Sequence, residues 1–121
     1  MSQRVFLYEE MEPVVKSKMR GGEGNMLNRV VIDYGKPLAK TSPFIGSGIN
    51  ALEPGASIGV HQHVEDEELY VIISGEGDYI DNDGKRHAMK PGDIAFCLKG
   101  ESHGLVNTGS DLLVFGAAIA K

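Results

Sequence analysis

Tryptophan is missing from this chain of 121 residues, cysteine occurs once, and there are only four Tyr and four Phe. The single Cys97 rules out an internal disulfide, and a reducing, cytoplasmic setting is expected. No apolar run approaches the ~20 residues that cross a bilayer, so no membrane segment is expected. A basic stripe is also lacking: 12 Lys and Arg are scattered among 17 Asp and Glu, giving a net charge of −5. Nucleic acid is therefore not an expected partner. The start, MSQRVFLYEE, runs from four apolar residues straight into acids, which is not the pattern of a secretory signal. Helical signals are weak, since residues 5–20 carry little 3.6-residue periodicity and Pro13 interrupts them. Low-complexity tracts, linkers and long repeats are absent, so one domain with one core is expected.

Glycine, by contrast, is abundant, with 16 residues or close to twice average usage. It punctuates short runs rich in Val, Ile, Leu and Tyr, as tight turns between strands require. Strands are expected near 27–33, 44–53, 57–62, 68–74, 77–82, 85–89, 93–98, 103–107 and 111–119. Glu53-Pro54-Gly55 and Lys90-Pro91-Gly92 are twin turn signals, Asn82-Asp83-Gly84 a tight hairpin, and Asn107-Thr108-Gly109-Ser110 a further reversal. Nine short antiparallel strands predict an all-β barrel or double-sheet jelly roll.

Two stretches place metal-binding side chains at telling intervals. His61 and His63 are i and i+2, so on a strand they leave the same face roughly 6.5 Å apart. Two such imidazoles can meet at one ion through bonds of about 2.0–2.2 Å. A turn over residues 64–67 is expected to bring Glu68 back on the neighbouring strand, with His103 arriving from another strand on that side. Glu67 is a rival in the acidic run at 65–68, but Glu68 shares a face with 70 and 72 and keeps the six-residue gap to Gly75. Three imidazoles and a carboxylate leave two open positions in an octahedral site and none in a tetrahedral one. They suit one divalent ion per subunit from Mn, Fe, Co, Ni, Cu or Zn, and affinity order alone does not choose.

Written out, the first stretch is Gly55-x5-His61-x-His63-x4-Glu68-x6-Gly75, which is the first cupin motif. The second, Gly92-x5-Leu98-x-Gly100-x2-His103-x3-Asn107, closely resembles the second cupin motif, with Leu98 at the position usually held by proline. The resemblance covers about residues 45–119. It implies an antiparallel double-stranded β-helix, a jelly-roll barrel, with His61, His63, Glu68 and His103 as metal ligands. Residues 1–25 then form an N-terminal arm packed on the barrel or on a neighbouring subunit, and 26–121 the barrel itself.

Other features have plainer readings. Cys97 on its apolar strand is expected in the core, and His87 beside Lys85 and Arg86 is expected in solvent. Arg20-Gly21-Gly22-Glu23-Gly24 lacks the ending of a phosphate loop and reads as a turn. Ser102-His103 has no companion acid or nucleophile elbow, and Asn107 is expected to fix a turn. Leu69, Val71 and Ile73 form an apolar outward set on a strand that is apolar on both faces. They call for a cover: residues 5–8 of the same chain, the same segment exchanged from a neighbour, or a homodimer interface, which the resemblance also implies.

Tyr70 and Ile72 are expected to line an apolar pocket beside the ion. The first functional expectation is metal-dependent chemistry on a small oxygen-rich ligand, of the kind cupin dioxygenases, oxalate decarboxylases and sugar isomerases perform. The alternative is a module that holds a metal or small molecule without turnover. A barrel without metal would leave four polar side chains converging indoors, at a cost.

Overall fold

The computed structural model describes residues 4–121 and contains ten strands, all paired antiparallel. They are β1 (Val14–Ser17), β2 (Asn25–Ile32), β3 (Phe44–Leu52), β4 (Ser57–Gln62), β5 (Glu67–Ser74), β6 (Gly77–Ile80), β7 (Arg86–Met89), β8 (Ile94–Cys97), β9 (Ser102–Asn107) and β10 (Leu113–Ala120). Six make one sheet in the order β1-β2-β3-β10-β5-β8, and four make a second in the order β4-β9-β6-β7. The sheets face each other, and alternate residues from both fill the space between them. Leu52, Ile72, Leu105, Leu113 and Phe115 are fully buried there. Each such side chain contributes about 2–3 kcal/mol through the apolar area it removes from water.

The strands foreseen from the apolar runs are present within a few residues, and two elements are additional. Strand β1 pairs with β2 in the register Val14↔Asn28 to Ser17↔Asn25, so the N-terminal arm extends the larger sheet of its own barrel. Its four residues are all exposed, so no alternation marks the strand in the sequence. A short helix, α1 (Pro37–Thr41), corrects the expectation of no helix. Pro37 sits at its first positions, where a missing N–H costs nothing, and Ala39 is its one buried residue. At five residues the helix is too short to leave a periodic signal.

Turn chemistry follows composition closely. Asp81 caps the 81–85 hairpin by accepting from the Asp83 and Lys85 N–H groups. Asn107 is buried and fixes the reversal after β9. Its Nδ2 donates to the Leu52 and Asp111 carbonyls, and its Oδ1 accepts from Gly109 N–H. Leu98 opens a turn in which its N–H donates to Glu101 Oε1 at 2.9 Å. Proline there would forfeit that bond, which gives the departure from the usual residue a local rationale.

The outward face of β5 is not covered by the segment at 5–8. Tyr8 lies instead under the Arg29 guanidinium of β2, 4.4 Å from ring centroid to Cζ, and Arg29 Nε donates to the Met11 carbonyl. Strands β3 and β10 separate β2 from β5.

Candidate metal centre

Strand β4 supplies His61, the position just after it supplies His63, and β9 pairs with β4 so that His61 and His103 are direct cross-strand partners. Glu68 arrives from β5, in the opposite sheet. This corrects the expectation of a hairpin after His63. The 63–66 connection crosses between sheets, so the carboxylate closes the group from the facing wall. Ring centroids of the three imidazoles form a nearly equilateral triangle with sides of 5.0, 4.8 and 4.9 Å. One donor atom from each of the four residues lies within 4.8 Å of all the others.

The outer nitrogens of the rings are all engaged. His61 Nδ1 meets the Gly59 carbonyl at 2.7 Å, His63 Nδ1 meets Asp66 Oδ1 at 2.6 Å, and His103 Nδ1 meets the Tyr79 hydroxyl at 2.9 Å. A carbonyl and a carboxylate only accept, so Nδ1 of His61 and of His63 carries the proton and their Nε2 lone pairs are bare. His63 Nε2, His103 Nε2 and Glu68 Oε1 then converge at separations of 3.0, 3.1 and 3.0 Å. The bare His63 Nε2 and the Glu68 carboxylate are buried acceptors this close together, and a proton on His103 Nε2 or a metal ion would hold them there.

The spacing discriminates between coordination geometries. With bonds of about 2.1 Å, donors at a right angle sit roughly 3.0 Å apart and donors at the tetrahedral angle roughly 3.4 Å apart. The separations of 3.0–3.1 Å among His63, His103 and Glu68 are compatible with the right-angled arrangement, with His61 within 4.8 Å of them. Four donors in an octahedral set leave two positions for a ligand. The donor set, its outer hydrogen bonds and its spacing therefore fit a divalent transition ion.

Electrostatics agree. Burial, the largest influence on Glu68, pushes its carboxyl up, but hydrogen bonds and charge from His103 and His63 together bring it down to about 2. The Glu68 hydrogen bond raises His63, outweighing burial, and Asp66 adds to it. Burial lowers His61, with a smaller opposing effect from the Gly59 carbonyl.

Beside the group lies a cavity of about 130 Å³, lined by Tyr70, Asn28, Asn50 and Tyr34 together with His61, His63 and Glu68. Tyr70 stacks on His103 with ring centroids 4.9 Å apart. Its hydroxyl is raised well above the ordinary value by burial and then by Glu68, so it stays a neutral donor. Ile72, the other expected pocket residue, is taken up by the core. Cys97 is buried with its thiol on the Glu101 carbonyl, and burial pushes it up to about 11, which suits an inert core residue. His87 is exposed on β7 and pairs with Asp81.

Sequence reasoning missed the polar cavity residues Asn28, Asn50 and Tyr34, and three further residues besides. Asp66, three positions after His63 in an acidic run, offered a faint signal through that spacing. Tyr79 offered none, because only the β6–β9 pairing brings it to His103. Arg20, read as part of a turn, is among the residues that line the cavity.

Comparison with known proteins gives consistent matches. The family model described as a cupin domain matches residues 48–117. An oxalate-binding protein of Thermotoga maritima is 38% identical over 113 residues, covering 91% of this chain and 88% of the relative. The crystal structure of a predicted oxalate decarboxylase from Thermotoga maritima matches with a TM-score of 0.88 and 36% identity, over 97% of this chain and 98% of that one. The polyketide cyclase RemF from Streptomyces resistomycificus matches with a TM-score of 0.73 at 21% identity, over 99% of this chain and 79% of that one, a likeness of fold alone.

Proposed function

The chain belongs to the cupin family, and from that premise we propose that it binds one divalent transition ion through His61, His63, Glu68 and His103 and takes a small oxygen-rich acid of the oxalate class beside it. The observation that carries this reading is the convergence of three imidazoles and a carboxylate, one donor atom of each within 4.8 Å of the others, next to a cavity. The names of the two Thermotoga maritima relatives supply the ligand class. A bound ion would act as a Lewis acid toward the carboxyl oxygens of such a ligand. The protein would supply the rest: neutral imidazoles held by their outer nitrogens, Tyr70 as a buried neutral donor, and the adjoining cavity of about 130 Å³.

Turnover of the acid, by decarboxylation or oxygenation, is the first form of this reading. A second form, holding the acid without turnover, is favoured by one feature. The cavity-lining carboxylates among the described residues are Glu68, engaged by two imidazoles, and Asp33, whose Oδ1 accepts from the Tyr34 N–H. Glu68 is thereby held between imidazoles rather than free for proton delivery, and Asp33 has one oxygen on a turn N–H. Metal-loaded protein offered oxalate and related acids separates the two: sustained product release supports turnover, and stoichiometric binding without product supports holding. Absence of both metal and acid binding would defeat the reading.

The proposal includes a homodimer. On the outer face, the paired rows Leu69–Phe96 and Val71–Ile94 make an apolar patch at edge strand β8, with Ile94 60% and Phe96 51% exposed. A second copy would bury it. Light scattering should give twice the chain mass, and Phe96→Glu should return it to one. A reducing, cytoplasmic setting fits the single buried thiol.

A further inference from the structure

The backbone of this protein is strained at two side-chain-bearing residues, Lys18 and Arg20, at φ 50° and 55°. Among the described residues these are the non-glycine positions with positive φ: Lys18 caps, and Arg20 lies within, one short turn, Met19–Gly21, that leans on β4. The turn is tightly determined. Lys18 N–H donates to the Gly24 carbonyl, Gly21 N–H to Lys18 and Gly22 N–H to Met19, while Ser57 N–H donates to Glu23 and Glu23 N–H to Ser57 Oγ. Its approach to β4 is so close that a Cβ on Gly59 would stand 2.2 Å from the Arg20 carbonyl oxygen. Left-handed backbone disfavours an ordinary side chain, and Gly21 or Gly22 next door shows that glycine was compatible with the turn. Arginine at that position therefore calls for a reason in its side chain.

Arg20 is among the residues that line the metal-side cavity, with His61 and Tyr34, and the positive charge of its side chain acts on both. Its guanidinium makes no hydrogen bond or ion pair with any described residue, although Asp33 also borders the cavity. Across the cavity, Asn28 Nδ2 donates to Asn50 Oδ1, which leaves the Asn50 Nδ2 donors without a protein partner. Among the described residues no buried side-chain nitrogen or oxygen lacks a partner, so these donors are reachable from the cavity. Two donor groups, one of them charged, thus face the space beside the metal ligands with nothing to bind.

We infer that Arg20, assisted by Asn50, is a second anion subsite that grips the end of the acid turned away from the metal ligands and selects dianions over monoanions. The inference rests on the metal and acid reading above and deepens it. A planar guanidinium matches a carboxylate in paired hydrogen bonds, so the second carboxylate of a small diacid is the chemistry it would recognise.

The test uses manganese-loaded full-length protein titrated calorimetrically with oxalate, a dianion, and with glycolate, a monoanion of similar size. In Arg20→Gln, oxalate affinity should fall about 10–100-fold while glycolate affinity and metal content stay within about threefold. Arg20→Gly should lose oxalate affinity equally, yet melt no lower than the parent, because it relieves the left-handed strain. Undiminished oxalate binding in Arg20→Gln, or a lowered melting temperature with oxalate binding retained in Arg20→Gly, would overturn the inference and leave the metal reading intact. A parent protein that takes up manganese but neither acid would defeat both together.

Discussion

His63 and His87 make the same pair with an aspartate, 2.6 Å to Asp66 and 2.7 Å to Asp81, in two very different regions. At the barrel mouth, His63 uses Nδ1 for Asp66 and turns Nε2 to His103 and Glu68, all buried. On the β6–β7 hairpin, His87 uses Nε2 for Asp81 and sits in solvent. The difference teaches that a histidine–aspartate pair is not itself a ligand motif. What matters is which nitrogen the acid holds and whether the other one meets further donor atoms out of water.

The sharpest way to break this comparison is to delete each imidazole. His63→Ala or His61→Ala should abolish stoichiometric metal, and chelator should then leave the melting temperature unchanged. Metal content at the parent level, measured by elemental analysis, would sink the assignment. His87→Ala lies at the other end of the scale.

Acid titration comes next. His63 is raised above the usual histidine value, so the proton's own stabilisation of the metal-free fold is complete below about pH 6.5 and is lost as pH rises through the raised value. A metal ion must displace that proton. Its affinity should fall as pH drops through the same window, and the melting difference between loaded and chelated protein should shrink with it. Asp81, lowered by His87, behaves oppositely: its contribution is present above the ordinary carboxylate range and is lost only as the pH falls below it. A metal-linked melting shift that is flat from pH 8 to 5 would contradict proton competition at His63.

Asp66→Asn keeps an acceptor for His63 Nδ1 but removes its charge. Metal affinity should fall about 10–100-fold by chelator competition, with the fold intact. An unchanged affinity would reduce Asp66 to a turn residue. The smallest effect is expected from His87→Ala, which should leave metal content and melting temperature where they are, since an exposed ion pair adds little.

The legible part of this molecule lies in short intervals along the chain. Gly55, His61, His63, Glu68 and Gly75 could be read together because strand geometry ties spacing to facing, and the four grouped donors are those the intervals marked. Turns were legible for the same local reason, as at Asp81 and Asn107. What escaped depends on contacts between distant segments. β1 has no buried face to imprint a pattern, Tyr79 reaches His103 only through the β6–β9 register, and Arg20 looked like one residue of a glycine-rich loop.

The sequence by itself determined the side-chain inventory, the turns and which residues share a strand face, because these follow from a two-residue repeat and from the φ preferences of glycine and proline. Only the tertiary structure decided that Glu68 closes the group from the opposite sheet, that Asp66 and Tyr79 aim the imidazoles, and that a strained arginine is among the residues lining the cavity. Those outcomes are set by long-range strand pairing and by the packing of two sheets, where one register step would carry every side chain to the other face.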